Sequence, residues 1–242
     1  MSYHPTLPVT INDFIHRIET LELPTFSNLM IVKCHFDIAR YQLNMFEMLG
    51  VDCPAEIANS VYKRQAEFLA GRFCSQQALQ LLSTERVTIN IGENRAPIWP
   101  DRIIGSIAHS KQIALAAVAE VSSYQYIGID CEGVIDKALA SSIASTIVTN
   151  NELNLLTSSG VELLATAVTI AFSSKEAMFK ALYPKVGYYF DFSVAEIIKI
   201  DLLENLLFIQ LIETLSRDYK KGDIFKCYFY FDEQHIISLM AQ

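Results

Sequence analysis

Two long stretches of helical periodicity constrain the fold of this 242-residue chain more than any other feature. In the first, residues 55–82, Ile57, Val61, Ala66, Leu69, Phe73, Ala78 and Leu81 recur at helical spacing, and Gly71 weakens it as one continuous helix. The second, residues 161–183, stops at Pro184. Strand-like runs accompany both. The segment 28–37 precedes the first helix; a short run from 87, then 113–119 and 124–132, follow it. After Pro184 come 192–200, 205–216, 224–234 and 235–241, and shorter helices are expected at 136–147 and 149–158. Between the short run at 87 and Ser110 the chain reads as a loop punctuated by Gly and Pro. Each half thus offers a strand, a long helix and further strands, which predicts a two-lobed α+β molecule with its hinge near 119–126.

Composition narrows the class. Apolar residues make up 51% and charged residues 19%, enough for a real core and too apolar for disorder. No uncharged run reaches the roughly 18–20 residues that cross a bilayer, and the amino-terminal "MSYHPTLPVTINDF" lacks the basic flank and apolar block of a secretory leader. Five dispersed cysteines without a C-x-x-C pair fit reduced thiols, so a cytoplasmic location is expected. A net charge of −8 argues against non-specific nucleic-acid or anionic-lipid binding. It leaves room for a small anionic ligand held by a local basic cluster or a metal ion.

Four short stretches carry chemistry. In "GIDCE" Asp130 and Glu132 sit two apart at the end of an apolar strand, so both carboxylates point to one face. They repel unless a cation lies between them or one is protonated; a strand end reaching solvent is the bland alternative. In "FSSKEAMFKAL" Glu176 and Lys180 share a helical face, either as a surface pair worth about 0.3–0.5 kcal/mol or as part of a site at the edge of the aromatics Phe172, Phe179 and Tyr183. Glu176 could add a third carboxylate to Asp130 and Glu132, with Lys175 and Lys180 facing metal-held phosphates. "PIWPDRIIGSIAHS" puts Gly105, Ser106 and His109 before a buried-looking strand, where an imidazole either serves structure or donates to a phosphate oxygen. In "KRQAEFLAGR" Arg64 and Arg72 are eight apart and share a face, as a solvated basic surface or a phosphate grip.

Taken in order, the basic helix, R-x-P-x-W-P, G-S-I-x-H, G-I-D-x-E and F-S-x-K-E-x-x-F-K resemble the 4′-phosphopantetheinyl transferase superfamily, in its larger pseudodimeric class. The resemblance runs over about residues 61–185. It implies a pseudodimer of two similar lobes, each a small antiparallel sheet packed on a long helix, with the active site in the cleft between them. Residues 1–122 would form the lobe carrying the coenzyme A-binding arginines and histidine, and 123–242 the lobe carrying the metal motifs. The implied reaction moves the phosphopantetheine arm of coenzyme A onto a serine of an acyl, peptidyl or aryl carrier protein and releases adenosine 3′,5′-bisphosphate. Asp130, Glu132 and Glu176 would bind Mg²⁺, with Mn²⁺ as the alternative ion. Glu176 would be the general base and Lys180, helped by Lys175, would balance charge on the leaving phosphate. Arg64, Arg72, Arg95 and His109 would grip the 3′-phosphate and adenosine side of coenzyme A. The segment 138–160 would contact the carrier, and a monomer is expected.

Two departures from the family pattern stand out. Arg102 occupies the glycine position of W-P-x-G, where it strains the turn if φ is positive or else adds a phosphate contact. Ala108 replaces a serine before the histidine, which is expected to cost one hydroxyl contact to the cofactor. Two other functions fit parts of the pattern: a carrier-independent, metal-dependent nucleotide pyrophosphate hydrolase, and a non-catalytic module that binds carrier or coenzyme A.

Overall fold

A computed structural model describes residues 10–82, 87–161 and 163–242; the first nine residues of the stretch read above as leaderless lie outside it. In chain order the elements are α1 (Ile11–Phe14), β1 (Ile15–Leu21), β2 (Met30–Phe36), α2 (Met45–Leu49), α3 (Ala55–Ala58), α4 (Tyr62–Leu81), β3 (Asn90–Ile91), β4 (Pro97–Ile98), β5 (Ile103–Ser110), β6 (Ile113–Glu120) and β7 (Ile127–Gly133). They continue with α5 (Lys137–Ile147), α6 (Asn150–Ser158), α7 (Leu164–Val186), β8 (Ala195–Asp201), β9 (Leu206–Leu211), β10 (Ile224–Asp232) and β11 (His235–Ala241). The fold is α+β, with two antiparallel sheets ordered β1-β2-β6-β5 and β7-β11-β10-β9-β8, and a separate β3-β4 ribbon.

Strand alternation decides how these elements stack. Val32 and Cys34 of β2 and Ala114, Ala116 and Val118 of β6 pack with α4 residues Ala66, Leu69 and Phe73. The opposite parity, Ile31, Ile113, Leu115 and Ala117, meets Ile127, Ile129, Cys131, Ile237 and Leu239 of the second sheet. The far face of that sheet, with Cys227, Phe229, Ile236 and Met240, packs with Val168, Ala171, Met178 and Ala181 of α7. The layers therefore run helix, sheet, sheet, helix, and β6 is buried on both faces, which is why "IALAAVA" shows no polar alternation.

The long helices differ from the sequence reading at their ends. The first splits, with α3 closing at Asn59 and α4 starting after Val61. The second begins at Leu164 and continues through Pro184 to a left-handed cap at Gly187, φ +78°. Three strands escape that reading: β1, and both β4 and β5 inside the stretch read as a loop. In β5 the small polar residues have a structural reason. β5 and β7 are edge strands of their respective sheets. Ser106 Oγ accepts from Ile129 N at 3.1 Å and Ser110 Oγ accepts from Gly133 N at 3.2 Å, so the serines satisfy β7 amides that no strand pairs. No helix among the described residues is long and apolar enough to cross a membrane.

Ser106→Ala should cost about 1–3 kcal/mol in urea unfolding, because it strands the buried Ile129 amide. An unchanged midpoint would remove Ser106 from the joint between the sheets.

Candidate functional site

The site starts at the glycine of "GIDCE". A Cβ on Gly128 would collide with the Ala177 carbonyl oxygen and stand 2.7 Å from Ala181 N and 2.8 Å from its Cβ. The backbone of α7 thus lies directly on β7, an approach that only glycine permits. With Ile127, Ile129 and Cys131 turned into the inter-sheet core, Asp130 and Glu132 turn toward α7. From the helix, Lys180 Nζ reaches Asp130 Oδ1 at 2.7 Å and donates to the Ile129 carbonyl at 3.2 Å. Asp130 is 4% exposed, and its Oδ2 is buried with no hydrogen-bond partner.

Charge in this cluster is under-compensated. Burial, then the neighbouring Asp130, pushes Glu176 above the ordinary carboxylate range, and Lys180 only partly opposes this. Glu132 is pushed up to about 7 by burial first, then by Asp130 and Glu176, against the pull of Lys180. Three carboxylates facing one ammonium, with an orphaned oxygen on the most buried of them, suit an added cation. Among the described residues no three His, Cys, Asp or Glu groups stand as a ready ligand set, and the Lys180 ammonium takes Asp130 Oδ1.

Arg64, Arg72, Arg95 and His109 come together around a pocket of about 110 Å³, with Glu67, Phe68 and Gly71. Arg64 Nη1 lies 3.4 Å from His109 Nε2, and His109 Nδ1 lies 3.9 Å from Glu67. Burial, then Lys180 and Arg64, depresses His109 to about 4, so its imidazole is neutral near pH 7. Nε2 can then accept from Arg64 while Nδ1 carries the proton toward Glu67. Arg72 is drawn down to about 10 by burial and the adjacent Arg64. Its guanidinium lies 4.7 Å over the Phe68 ring and donates to the Ile89 and Asn90 carbonyls. Arg72 therefore builds the pocket wall as well as lining it.

Lys175 does not join the cluster. Its side chain is 2% exposed, ion-pairs with Glu152 at 2.7 Å and donates to the Ile147 carbonyl at 2.9 Å. Glu152 in turn accepts from Thr149 N and Ile197 N. The pair locks α5, α6 and β8 onto α7, and the expected contact of Lys175 with phosphate is corrected on that ground. One residue along a helix is about 100° of rotation, and this carries Lys175 off the Glu176–Lys180 face. Arg102 is exposed at φ +64°, the left-handed turn that favours glycine. Ala108 is buried in the inter-sheet cluster, on the opposite face of β5 from His109, so a serine there would add no hydroxyl to the basic pocket. That expectation too is corrected.

Two larger clefts flank the acidic cluster. One of about 500 Å³ is walled by Trp99, Ile104, Val121, Ile127 and Phe179, with Arg95, Glu176 and Lys180 at its polar end. Gly105 makes room for it, since a Cβ there would press on the Trp99 ring at 2.8 Å. The other, about 570 Å³, has Lys63, His109, Lys111 and Glu132 facing Val134 and Leu139. Gly128 and Trp99 enter the sequence reading only as positions of G-I-D-x-E and R-x-P-x-W-P, with no packing role. A glycine within an apolar strand and the single tryptophan of the chain were the available signals.

The family model for the 4′-phosphopantetheinyl transferase N-terminal domain matches residues 53–119, and that for the 4′-phosphopantetheinyl transferase superfamily matches residues 126–238. Enterobactin synthase component D of Salmonella typhi is 37% identical over 124 residues, 51% of this chain and 50% of its own. The protein of the same name from Escherichia coli strain K12 is 39% identical over 135 residues, 56% of this chain and 63% of its own. The 4′-phosphopantetheinyl transferase Npt of Nocardia iowensis is 34% identical over 149 residues, 60% and 64% of the two chains. The chain thus spans between half and 64% of the length of these relatives.

A folded-state pKa of about 7 for Glu132, above its ordinary value of 4.5, has a definite consequence for stability. The folded chain holds that proton more tightly than the unfolded chain, so the contribution is full below about pH 4.5 and is lost as pH rises through about 7. In EDTA, Glu132→Gln should melt with the parent near pH 4.5 and above it by about 2–4 °C at pH 8, as ~1 kcal/mol does in a chain of this size. Equal melting at both pH values would show that Glu132 titrates normally.

Proposed function

This chain belongs to the 4′-phosphopantetheinyl transferase superfamily, and on that premise we propose that it moves the phosphopantetheine arm of coenzyme A onto a serine of a carrier protein. The observation that carries this reading is the juxtaposition of two opposite sites. An acidic cluster of Asp130, Glu132 and Glu176, with Lys180, stands beside a basic pocket of Arg64, Arg72, Arg95 and His109. Arg95 lines both the basic pocket and the cleft that holds Glu176 and Lys180, and His109 and Glu132 line one cleft, so the two sites adjoin and suit one extended anion.

In this reading Asp130, Glu132 and Glu176 would hold Mg²⁺, or Mn²⁺ in its place. The ion supplies positive charge to the pyrophosphate of coenzyme A. The chain's own groups do the rest. Arg64, Arg95 and His109 orient the 3′-phosphate end, with Arg72 fixing the wall behind them. Glu176, held above the ordinary carboxylate range by burial and Asp130, would take the proton of the carrier serine, directly or through water. A bond forms between the serine oxygen and the β-phosphorus, and the pyrophosphate P–O bond to that phosphorus breaks. Adenosine 3′,5′-bisphosphate leaves with its new charge facing Lys180. The 500 Å³ cleft adjoins Glu176 and Lys180 and would hold the apolar part of the arm.

The division into lobes at 1–122 and 123–242, a monomeric chain and a cytoplasmic location belong to the same proposal. The carrier would approach by the cleft of Lys63, Lys111, Val134 and Leu139. Of the segment 138–160, this brings the start of α5 to the site, while Glu152 and Leu156 are buried.

The test is intact-protein mass spectrometry of an apo carrier protein incubated with this chain, coenzyme A and Mg²⁺. The carrier should gain one phosphopantetheine mass, the gain should vanish in EDTA, and Lys180→Ala should slow it about 100-fold, the scale of one lost charge-stabilising group. Release of adenosine 3′,5′-bisphosphate without any carrier would favour the hydrolase. No turnover with coenzyme A bound would favour the non-catalytic module.

A further inference from the structure

The β3–β4 ribbon has only two paired rungs, Asn90 with Ile98 and Ile91 with Pro97, and joins neither sheet. A two-stranded ribbon that short does not hold its own shape in water, so something else must fix it. Arg72 ties its base, donating to the Ile89 and Asn90 carbonyls. Its tip is tied separately. Asn94 Nδ2 donates to the Tyr183 hydroxyl at 2.6 Å, joining the ribbon of the first half of the chain to α7 of the second.

The tip is bent in an unusual way. Asn94 and Arg95 take φ of +50° and +67°, two successive left-handed residues of which neither is glycine. The bend closes with Gly92 N donating to the Ala96 carbonyl at 2.7 Å and Ala96 N to the Glu93 carbonyl at 3.0 Å. Such a conformation persists only where its surroundings hold it. Tyr183 is well placed to do so. It is 9% exposed, and its ring packs at 5.3 Å on that of Phe179. The result is the placing of Arg95. Its side chain lines both the 500 Å³ apolar cleft and the basic pocket, next to the like-charged Arg64, and no acidic group among the described residues pairs with it.

We propose that Tyr183 is a positioning residue: through Asn94 it latches the 92–96 tip across the cleft, so that Arg95 stands at the partition between the apolar cleft and the basic pocket. This rests on the transferase reading for its ligand, coenzyme A, whose anionic and apolar ends would lie on the two sides of that partition. The latch itself rests on geometry alone. Removing it frees the tip, lets Arg95 swing away from Arg64, and weakens the grip on the ligand without touching Glu176 or Lys180.

Tyr183→Phe keeps the packed ring and deletes only the hydroxyl, while Asn94→Gly deletes the amide and leaves the left-handed backbone at ease. The two variants and their double should be measured in two ways on the full chain. Without ligand, amide exchange at residues 93–96 should be at least about tenfold faster in each variant, as expected for an opened local contact. In calorimetric titration with coenzyme A, each single change should weaken binding about fivefold, and the double no further, because both remove one contact. KM should rise with kcat nearly constant. Exchange unchanged in both variants would overturn the latch. Faster exchange with unaltered coenzyme A affinity, or singly additive losses in the double, would overturn its positioning role. If the parent chain binds no coenzyme A, the transferase reading and the role of Arg95 in it fall together, while the exchange result still decides the latch.

Discussion

The seating of α7 on β7 at Gly128 is the contact on which the rest of the site depends. Backbone meets backbone there, and a single added methyl would collide with the helix. Because the helix lies that close, the Lys180 ammonium reaches both Asp130 and the Ile129 carbonyl, and Glu176 one turn earlier comes within electrostatic range of Asp130 and Glu132. A helix held even a side chain's thickness further away would take Glu176 and Lys180 out of reach of Asp130 and Glu132. Burial and mutual repulsion at short range are what raise Glu132 and Glu176 and make the cluster receptive to positive charge.

The second sheet could not present this cluster to a ligand alone. The basic pocket comes from α4, β5 and the β3–β4 ribbon, all in the first half of the chain. The two halves are joined by an apolar layer between the sheets and by serine hydroxyls that take up β7 edge amides. The Asn94–Tyr183 bond then closes over the cleft beside that joint. The acidic and basic sites are thus fixed relative to one another by the same interface that buries the edge of each sheet. Within the acidic helix, Lys175 and Lys180 illustrate how one element divides its labour. One lysine neutralises Glu152 deep in the helical layer, and the other faces the cluster.

Local periodicity made much of this readable from the residues. Strand alternation put Asp130 and Glu132 on one face, and i, i+4 spacing put Glu176 and Lys180 on another, so the acidic cluster needed only the two elements to meet. The same arithmetic, carried one step further, would have turned Lys175 away. Non-local partners hid the rest. "IIGSIAHS" reads as part of a loop because Gly and Pro punctuate the stretch it belongs to, and the partners of Ser106 and Ser110 are amides of a strand 23 residues on. Arg95 is unremarkable in sequence, since its placement depends on Asn94 meeting a tyrosine 89 residues away. Arg102 was readable only as a condition, and its φ of +64° settles that condition toward a strained turn.

On the proposed transferase reading, α7 and β7 would together build a cation site that completes itself on coenzyme A. Titration of Mn²⁺ followed by electron paramagnetic resonance, with and without coenzyme A, tests it most directly. One ion per chain should bind in the presence of coenzyme A, and Asp130→Asn should abolish that binding while its melting profile stays cooperative. Equal Mn²⁺ binding by parent and variant, or none by the parent with coenzyme A bound, would contradict the account.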